Sequence, residues 1–239
     1  MSSHQRPEHS ASVRNYYKMA RLEILYEDNH LIVALKPQNI PSQGDSSGDE
    51  DMLSMLKKYI KVKYDKPGEV FLGLAHRLDR PTGGIMVFAR TSKAAKRLQE
   101  QMKNGGFTKK YLAVLDGIPK EKSGRLTDML LKDSSTNTVK VAKSDIPGAK
   151  KAVLDFKVLE ENSGMALTEV ALLPGRSHQI RVQFSSRGTA LVGDAKYGRG
   201  GCDLSLFACS LSFIHPTTKE KLTFTALPPK KYPWTNFEL

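Results

Sequence analysis

The sequence predicts an α+β protein: a mixed, mostly antiparallel central sheet with flanking helices. Two observations carry that expectation. Strand-like segments outnumber helix-like ones, and they come in runs rather than in strict alternation with helices, which argues against a doubly wound parallel sheet. No internal repeat interrupts the pattern, and low-complexity stretches are confined to the ends and one loop.

Taken in order, residues 22–37 (LEILYEDNHLIVALKP) read as two short strands joined at Asp28–Asn29, a dipeptide suited to a tight turn. Residues 42–51 (SQGDSSGDED) form a polar, acidic loop that runs into the helix-like DMLSMLKKYIKVKY. Residues 84–90 (GIMVFAR) read as a buried strand. In the following TSKAAKRLQEQMKNGG, Thr91 or Ser92 caps a helix and Gly105 ends it. KKYLAVLDG is strand-like, and residues 125–158 alternate enough to supply several more strands. LTEVALLPGRSHQIRVQFSSRG reads as strand, turn, then a helix from about Ser177 that closes at Gly188. Strand segments near 205–213 and 220–225 precede a Pro-rich end.

Charge narrows the choice of partner. Among 239 residues, 37 Lys and Arg stand against 25 Asp and Glu, a net charge of +12. Such an excess favours a polyanion, and nucleic acid is the commonest one. The two cysteines, Cys202 and Cys209, cannot build a disulfide framework and lack zinc-site spacing, so a reducing, cytoplasmic setting is expected. No apolar run approaches the roughly 18–20 residues that span a bilayer. There is no phosphate-cradling Gly loop, dinucleotide fingerprint or zinc-deaminase pattern, so no cofactor, nucleotide or metal is expected.

Three segments hold the chemistry. In AHRLDRPTGG, residues 75–84, Asp79 stands between Arg77 and Arg80 and runs into a turn rich in Pro and Gly. A structural ion pair at a turn is the simpler local reading. In GRSHQIR, residues 175–181, Arg176, His178, Gln179 and Arg181 make a dense cluster of donors suited to phosphates, base edges or a buried carboxylate. Ile180, Val182 and Phe184 are interleaved with them, so the helix faces the core and leaves an arginine in need of a buried partner, for which Asp79 is the candidate. In KKYLAVLDG, Tyr111 follows Lys109 and Lys110, where an aromatic ring packs in the core or stacks on a base.

Together these segments resemble the pseudouridine synthases of the RluA type, the family that isomerises uridine in rRNA and tRNA. The resemblance covers nearly everything after Arg21, through ILYEDNHLIVALKP, HRLDRPTGG, KKYLAVLDG, GRSHQIRV, GDAKYG and LSFIHP. It implies the pseudouridine synthase fold with an active cleft across the sheet, RNA as partner and no cofactor. It also implies Asp79 as the catalytic aspartate, Arg181 as its arginine partner, and Tyr111 as the ring that stacks on the flipped uracil and can serve in proton removal. Arg77 is implied to help displace the target nucleotide, with His76, Thr82, Lys36, Arg176, His178 and Gln179 as further substrate contacts. Gly83 stands where the family usually has Ser, and Phe207 where a His is common. Residues 1–20 are read as a flexible tail that can touch RNA through Arg6, Arg14 and Lys18, and 21–239 as one catalytic domain acting as a monomer, without a separate N-terminal RNA-binding domain.

The chemistry so implied breaks the bond from ribose to a base nitrogen, turns the uracil and rejoins it through carbon 5, after the nucleotide has left its stack. One carboxylate suffices because no water is activated, and the site should be closed and fairly dry. The principal rival is a non-catalytic RNA-binding or ribosome-assembly protein on the same fold, and a second is an RNA glycosylase. Against the first stands the presence of an acid in a basic groove, which binding alone does not require.

Overall fold

Asp28 makes the first turn. Its Oδ1 accepts from the backbone N–H groups of His30 and Leu31, both at 2.7 Å. This local bond folds β1 (Glu23–Glu27) back against β2 (Leu31–Lys36), as the Asp-Asn pair predicts. The chain is described here from a computed structural model over residues 22–143, 146–173 and 175–239. The expected tail, residues 1–20, lies outside the described residues.

Nine further strands follow: β3 (Gly73–Leu74), β4 (Gly83–Ala89), β5 (Thr108–Asp116), β6 (Ser123–Asp133), β7 (Thr138–Ala142), β8 (Lys150–Asn162), β9 (Met165–Leu172), β10 (Leu206–Ile214) and β11 (Lys221–Thr225). The described strands join one sheet in the order β1-β2-β4-β10-β5-β9-β8-β6-β7, with β3 added to β4 and β11 to β10. Every pairing is antiparallel except that of β4 with β10. All seven residues of β4 are buried, which explains its unbroken apolar run.

Helix α1 (Met52–Lys63) starts at Asp51, whose side chain accepts from the Ser54 N–H at 3.1 Å. Helix α2 (Ser92–Lys103) is capped by Thr91 rather than Ser92, through Oγ1 to the Ala94 N–H at 3.1 Å. Each such cap contributes about 1 kcal/mol. Beyond Asn104, Gly105 turns left-handed with φ 75° and ends the helix as expected. Helix α3 (Gln179–Ser185) is shorter than the sequence suggests. It begins only after His178, which is left-handed at φ 50°, and its end tightens into bonds from Arg187 N to Phe184 O and from Gly188 N to Ser185 O. Among the described residues no helix is long and apolar enough to cross a membrane.

The sheet separates two cores. On one face, Met52, Leu56 and Ile60 of α1 and Ile180 and Phe184 of α3 pack with Phe88, Tyr111 and Phe156. On the other, Ala94 and Leu98 of α2 pack with Val33, Val87 and Phe213. Burying each large side chain contributes about 1.5–3 kcal/mol, so this packing fixes the frame on which the loops stand.

The parallel contact places Phe207 opposite Gly83 and Ala208 opposite Gly84. Gly84 lies at φ 124°, and a Cβ there would strike the Ala208 backbone. At Gly83 a Cβ would come within 3.3 Å of the Phe207 ring and 3.0 Å of the Gln38 side chain. The two departures from the family pattern, Gly83 and Phe207, are therefore neighbours across one register, and the ring takes the space a Ser side chain would need. Gly83→Ser should cost about 1–3 kcal/mol in denaturant unfolding. Adding Phe207→His should recover part of that loss, whereas strictly additive losses would separate the two positions.

Candidate active site

Three anchors hold the loop that carries Asp79. Ser42 Oγ donates to the Leu78 carbonyl at 2.7 Å and accepts from the Leu78 N–H at 3.1 Å. The Thr82 N–H donates to the Asp79 carbonyl at 2.9 Å, closing the turn. Lys36 comes up from the end of β2, and its Nζ donates to the carbonyls of Pro37 (3.0 Å), Ile40 (2.6 Å) and Arg80 (3.0 Å). Burial pushes the Lys36 pKa down to about 7, opposed by the charge of Asp79. Three N–H donors meet three carbonyls, and that set requires the ammonium form.

This geometry gives Lys36 a task other than the substrate contact expected of it: it pins the loop and keeps no N–H for a ligand. His76 is similarly occupied. Its Nε2 accepts from the Val87 N–H at 3.2 Å, and burial pushes its pKa down to about 3, so the ring is neutral. Gln179 spends both ends of its amide on the fold, accepting from Arg176 N at 2.9 Å and donating to Val153 O at 2.9 Å. Thr82 is 2 % exposed and its hydroxyl has no partner among the described residues. Arg176 donates through Nε to the Lys151 carbonyl at 3.1 Å and is otherwise exposed. Arg77 is exposed and makes no ion pair among the described residues. Arg80 points away from Asp79 into the acidic loop.

Arg181 is the centre of the site. Every residue from Gln179 to Phe184 is buried, so its guanidinium is almost wholly withdrawn from solvent. The sequence expectation gave it Asp79 as partner, and Nη1 does lie 3.7 Å from Asp79 Oδ2. Its main partner is another residue. Nε and Nη2 make a two-pronged bond to Asp194, at 2.8 and 2.7 Å. Asp194 is fully buried and also accepts from the backbone N–H groups of Lys196 (2.9 Å) and Tyr197 (3.0 Å). Burial alone would raise its pKa, but these bonds outweigh that and hold it below the usual range. Nothing in the spacing of GDAKYG marks Asp194 as an ion partner; a buried arginine needing a second acid is the one hint.

Tyr197 completes the frame. Its ring lies 5.1 Å from the Arg181 guanidinium, and its hydroxyl meets His178 Nδ1 at 2.7 Å. That bond aims His178 Nε2 at Asp79, 3.7 Å from Oδ2. Burial lowers the His178 pKa, partly opposed by Asp79, so the ring favours its neutral form. Tyr111 projects from β5 and is 7 % exposed. Burial, reinforced by the Asp79 charge, raises its pKa and keeps the phenol protonated at neutral pH.

These groups meet at a cavity of about 790 Å³, lined among others by Asp79, Tyr111, His178, Arg181, Lys109 and Lys132. Three carboxylates line it: Asp45, Asp79 and Asp203. Asp45 accepts from Ser47 and Asp203 from Asn39 and Lys231, whereas Asp79 accepts no hydrogen bond among the described residues. A basic cavity with one unengaged carboxylate beside a buried arginine and an aromatic ring can take an anionic ligand and react with it.

Solved structures share the frame. The chain superposes on human RNA Pseudouridylate Synthase Domain Containing 1 with a TM-score of 0.71 and 25% identity, covering 90% of this chain and 86% of that one. Human RNA Pseudouridylate Synthase Domain Containing 4 has the same fold, with a TM-score of 0.75 at 24% identity over 90% and 92% of the two chains. The fold is thus that of the pseudouridine synthases. Residues 30–186 match the family model for RNA pseudouridylate synthase. The chain is 33% identical over 228 residues to Uncharacterized RNA pseudouridine synthase YhcT of Bacillus subtilis, covering 93% of this chain and 72% of that protein. It is 32% identical over 225 residues to Ribosomal large subunit pseudouridine synthase D of Zymomonas mobilis, covering 87% and 70%. The chain belongs to the RNA pseudouridylate synthase family and is an enzyme of that class.

Breaking the Arg181–Asp194 pair should be costly. Asp194→Ala strands the guanidinium and frees two backbone donors, and should lower unfolding free energy by about 3–5 kcal/mol in denaturant titration. A loss below about 1 kcal/mol would show that Arg181 finds its support elsewhere.

Proposed function

We propose that the chain converts uridine to pseudouridine at a defined position in structured RNA, with Asp79 as the reacting carboxylate, Arg181 as its counter-charge and Tyr111 as the platform for the flipped base. The observation that carries the reading is that Asp79, alone among the cavity's carboxylates, accepts no hydrogen bond among the described residues while a buried guanidinium lies 3.7 Å away. Ribosomal RNA is the proposed substrate class, in keeping with the large-subunit synthases among the relatives. All these groups come from one chain, which supports action as a monomer, and a cytoplasmic site of action fits that substrate.

The geometry supports a route without water. A target nucleotide leaves its stack at a cost of about a few kcal/mol, and Arg77, exposed at the rim, takes a phosphate or the vacated space. The base lies against Tyr111. Asp79 either adds to the sugar or ring, or removes a sugar proton; the N1–C1′ bond breaks and uracil is freed with its electron pair. The base turns, C5 bonds to C1′, Asp79 is regenerated, and the C5 proton leaves as N1 gains one. Atoms balance without a second substrate. Because the Tyr111 phenol is protonated at neutral pH, its part is the ring face rather than that of a resident base.

Asp79→Asn should bring pseudouridine formation on ribosomal RNA below detection by chemical mapping, with RNA affinity within about threefold of the parent. Turnover near the parent's would remove Asp79 from the reaction. Arg181→Met should lose about 100-fold or more in rate. Tyr111→Phe should keep the rate within about tenfold, since stacking survives; a far larger loss would assign the hydroxyl a proton-transfer role. Abasic RNA in place of pseudouridine would instead mark a glycosylase.

A further inference from the structure

The acidic loop beside the site is not absorbed by this mechanism. Residues 42–51 contain four acids and no base in a chain of net charge +12. The loop lies at the cavity wall through Gln43, Gly44 and Asp45. It grips Arg80, the residue after Asp79. Arg80 Nη2 meets Asp49 Oδ2, Nη1 donates to Ser47 Oγ at 3.0 Å, and Nη1 lies 4.0 Å from Asp45 Oδ2. Asp45 in turn accepts from Ser47 N at 2.9 Å, which shapes the loop for this grip.

We propose that Arg80 is an RNA-phosphate contact whose guanidinium is held by the 45–49 loop until RNA displaces it, so that the loop acts as an internal competitor that raises selectivity for the correct RNA. This rests on the cavity being the RNA site. Three features support the exchange. The side chains of Arg80, Asp45 and Asp49 are 42%, 45% and 54% exposed, and ion pairs so exposed are weak and open to exchange. The loop meets the two Nη groups with oxygens from Asp49 and Ser47, and a phosphate offers two oxygens to the same fork, so an anion can take the loop's place. The Arg80 backbone is anchored separately by Lys36, so its side chain can change partner while Asp79 stays in place. An RNA that presents a phosphate at Arg80 releases the loop. One that does not leaves Arg80 in its internal pair, forgoes that contact and is discriminated against.

The test is a double-mutant cycle read by binding of a short, uridine-containing single-stranded RNA of mixed sequence at fixed salt. Asp45→Asn with Asp49→Asn preserves shape and removes charge, and should tighten binding about fivefold. Arg80→Gln alone should weaken it by a similar factor. In the Arg80→Gln background the two Asn substitutions should change affinity less than about twofold. Equal tightening in both backgrounds would mean simple long-range repulsion, and would overturn the proposal, as would unchanged binding on Arg80→Gln. If Asp79→Asn and its parent both fail to bind RNA at all, the site reading falls and this inference with it. Binding without any effect of the loop removes this inference alone.

Discussion

The site depends on a buried arginine shared by two carboxylates of unequal freedom. Arg181 is only 4% exposed, so its charge has to be met largely within the fold. Asp194 meets it with both oxygens and is itself tied to two backbone N–H groups, which leaves Nη1 turned towards Asp79. The division has a chemical consequence. A carboxylate that adds to a sugar or takes a proton loses its charge during the reaction. If Asp79 were the sole partner, that step would orphan a buried cation and add its desolvation cost to the barrier. With Asp194 in place the guanidinium stays compensated throughout, and Asp79 is free to change state.

The same economy of partners explains which polar side chains keep hydrogen-bonding groups free for the cavity and which do not. HRLD and HQIR were legible as a pair, because interleaved Ile180, Val182 and Phe184 require the helix to be buried and so require an anion for Arg181. The positions of the strands along the chain were legible in outline from alternation and turn chemistry, down to the Asp28 turn and the Gly105 stop. What could not be read was where each donor goes. Lys36, His76 and Gln179 are polar residues in the right segments, yet each is consumed by backbone groups of elements distant in sequence: Arg80 O, Val87 N and Val153 O. Asp194 was missed because its partner, Arg181 on α3, stands 13 residues earlier in the chain, a spacing that marks no pair. Hydrogen-bond satisfaction is a property of the folded whole, and motif spacing carries little of it.

Gly83 and Phe207 show how far a local departure can be from a functional one. Each alone differs from the family pattern, and they are distant in the chain. The one parallel pairing among the described strands brings them face to face, so the bare glycine and the aromatic ring meet in one packing contact. The contact also lies at the start of β4, just past the turn that carries Asp79. The close approach at Gly84 is a condition for the reactive loop to sit against the sheet.

The engagement of the other cavity carboxylates bears on why the reaction stays an isomerisation. Hydrolysis of a glycosidic bond generally needs a second carboxyl group to direct water or protonate the leaving base. Asp203 is held by Asn39 and Lys231, and Asp45 by Ser47 beside Arg80. Neither presents a free oxygen pair aimed at a sugar opposite Asp79. The neutral ring of His178 carries no acidic proton with which to protonate the freed uracil strongly. In the proposed reaction, a base released from its sugar in this cavity therefore keeps its electron pair, stays against Tyr111 and meets C1′ again before any assisted water can.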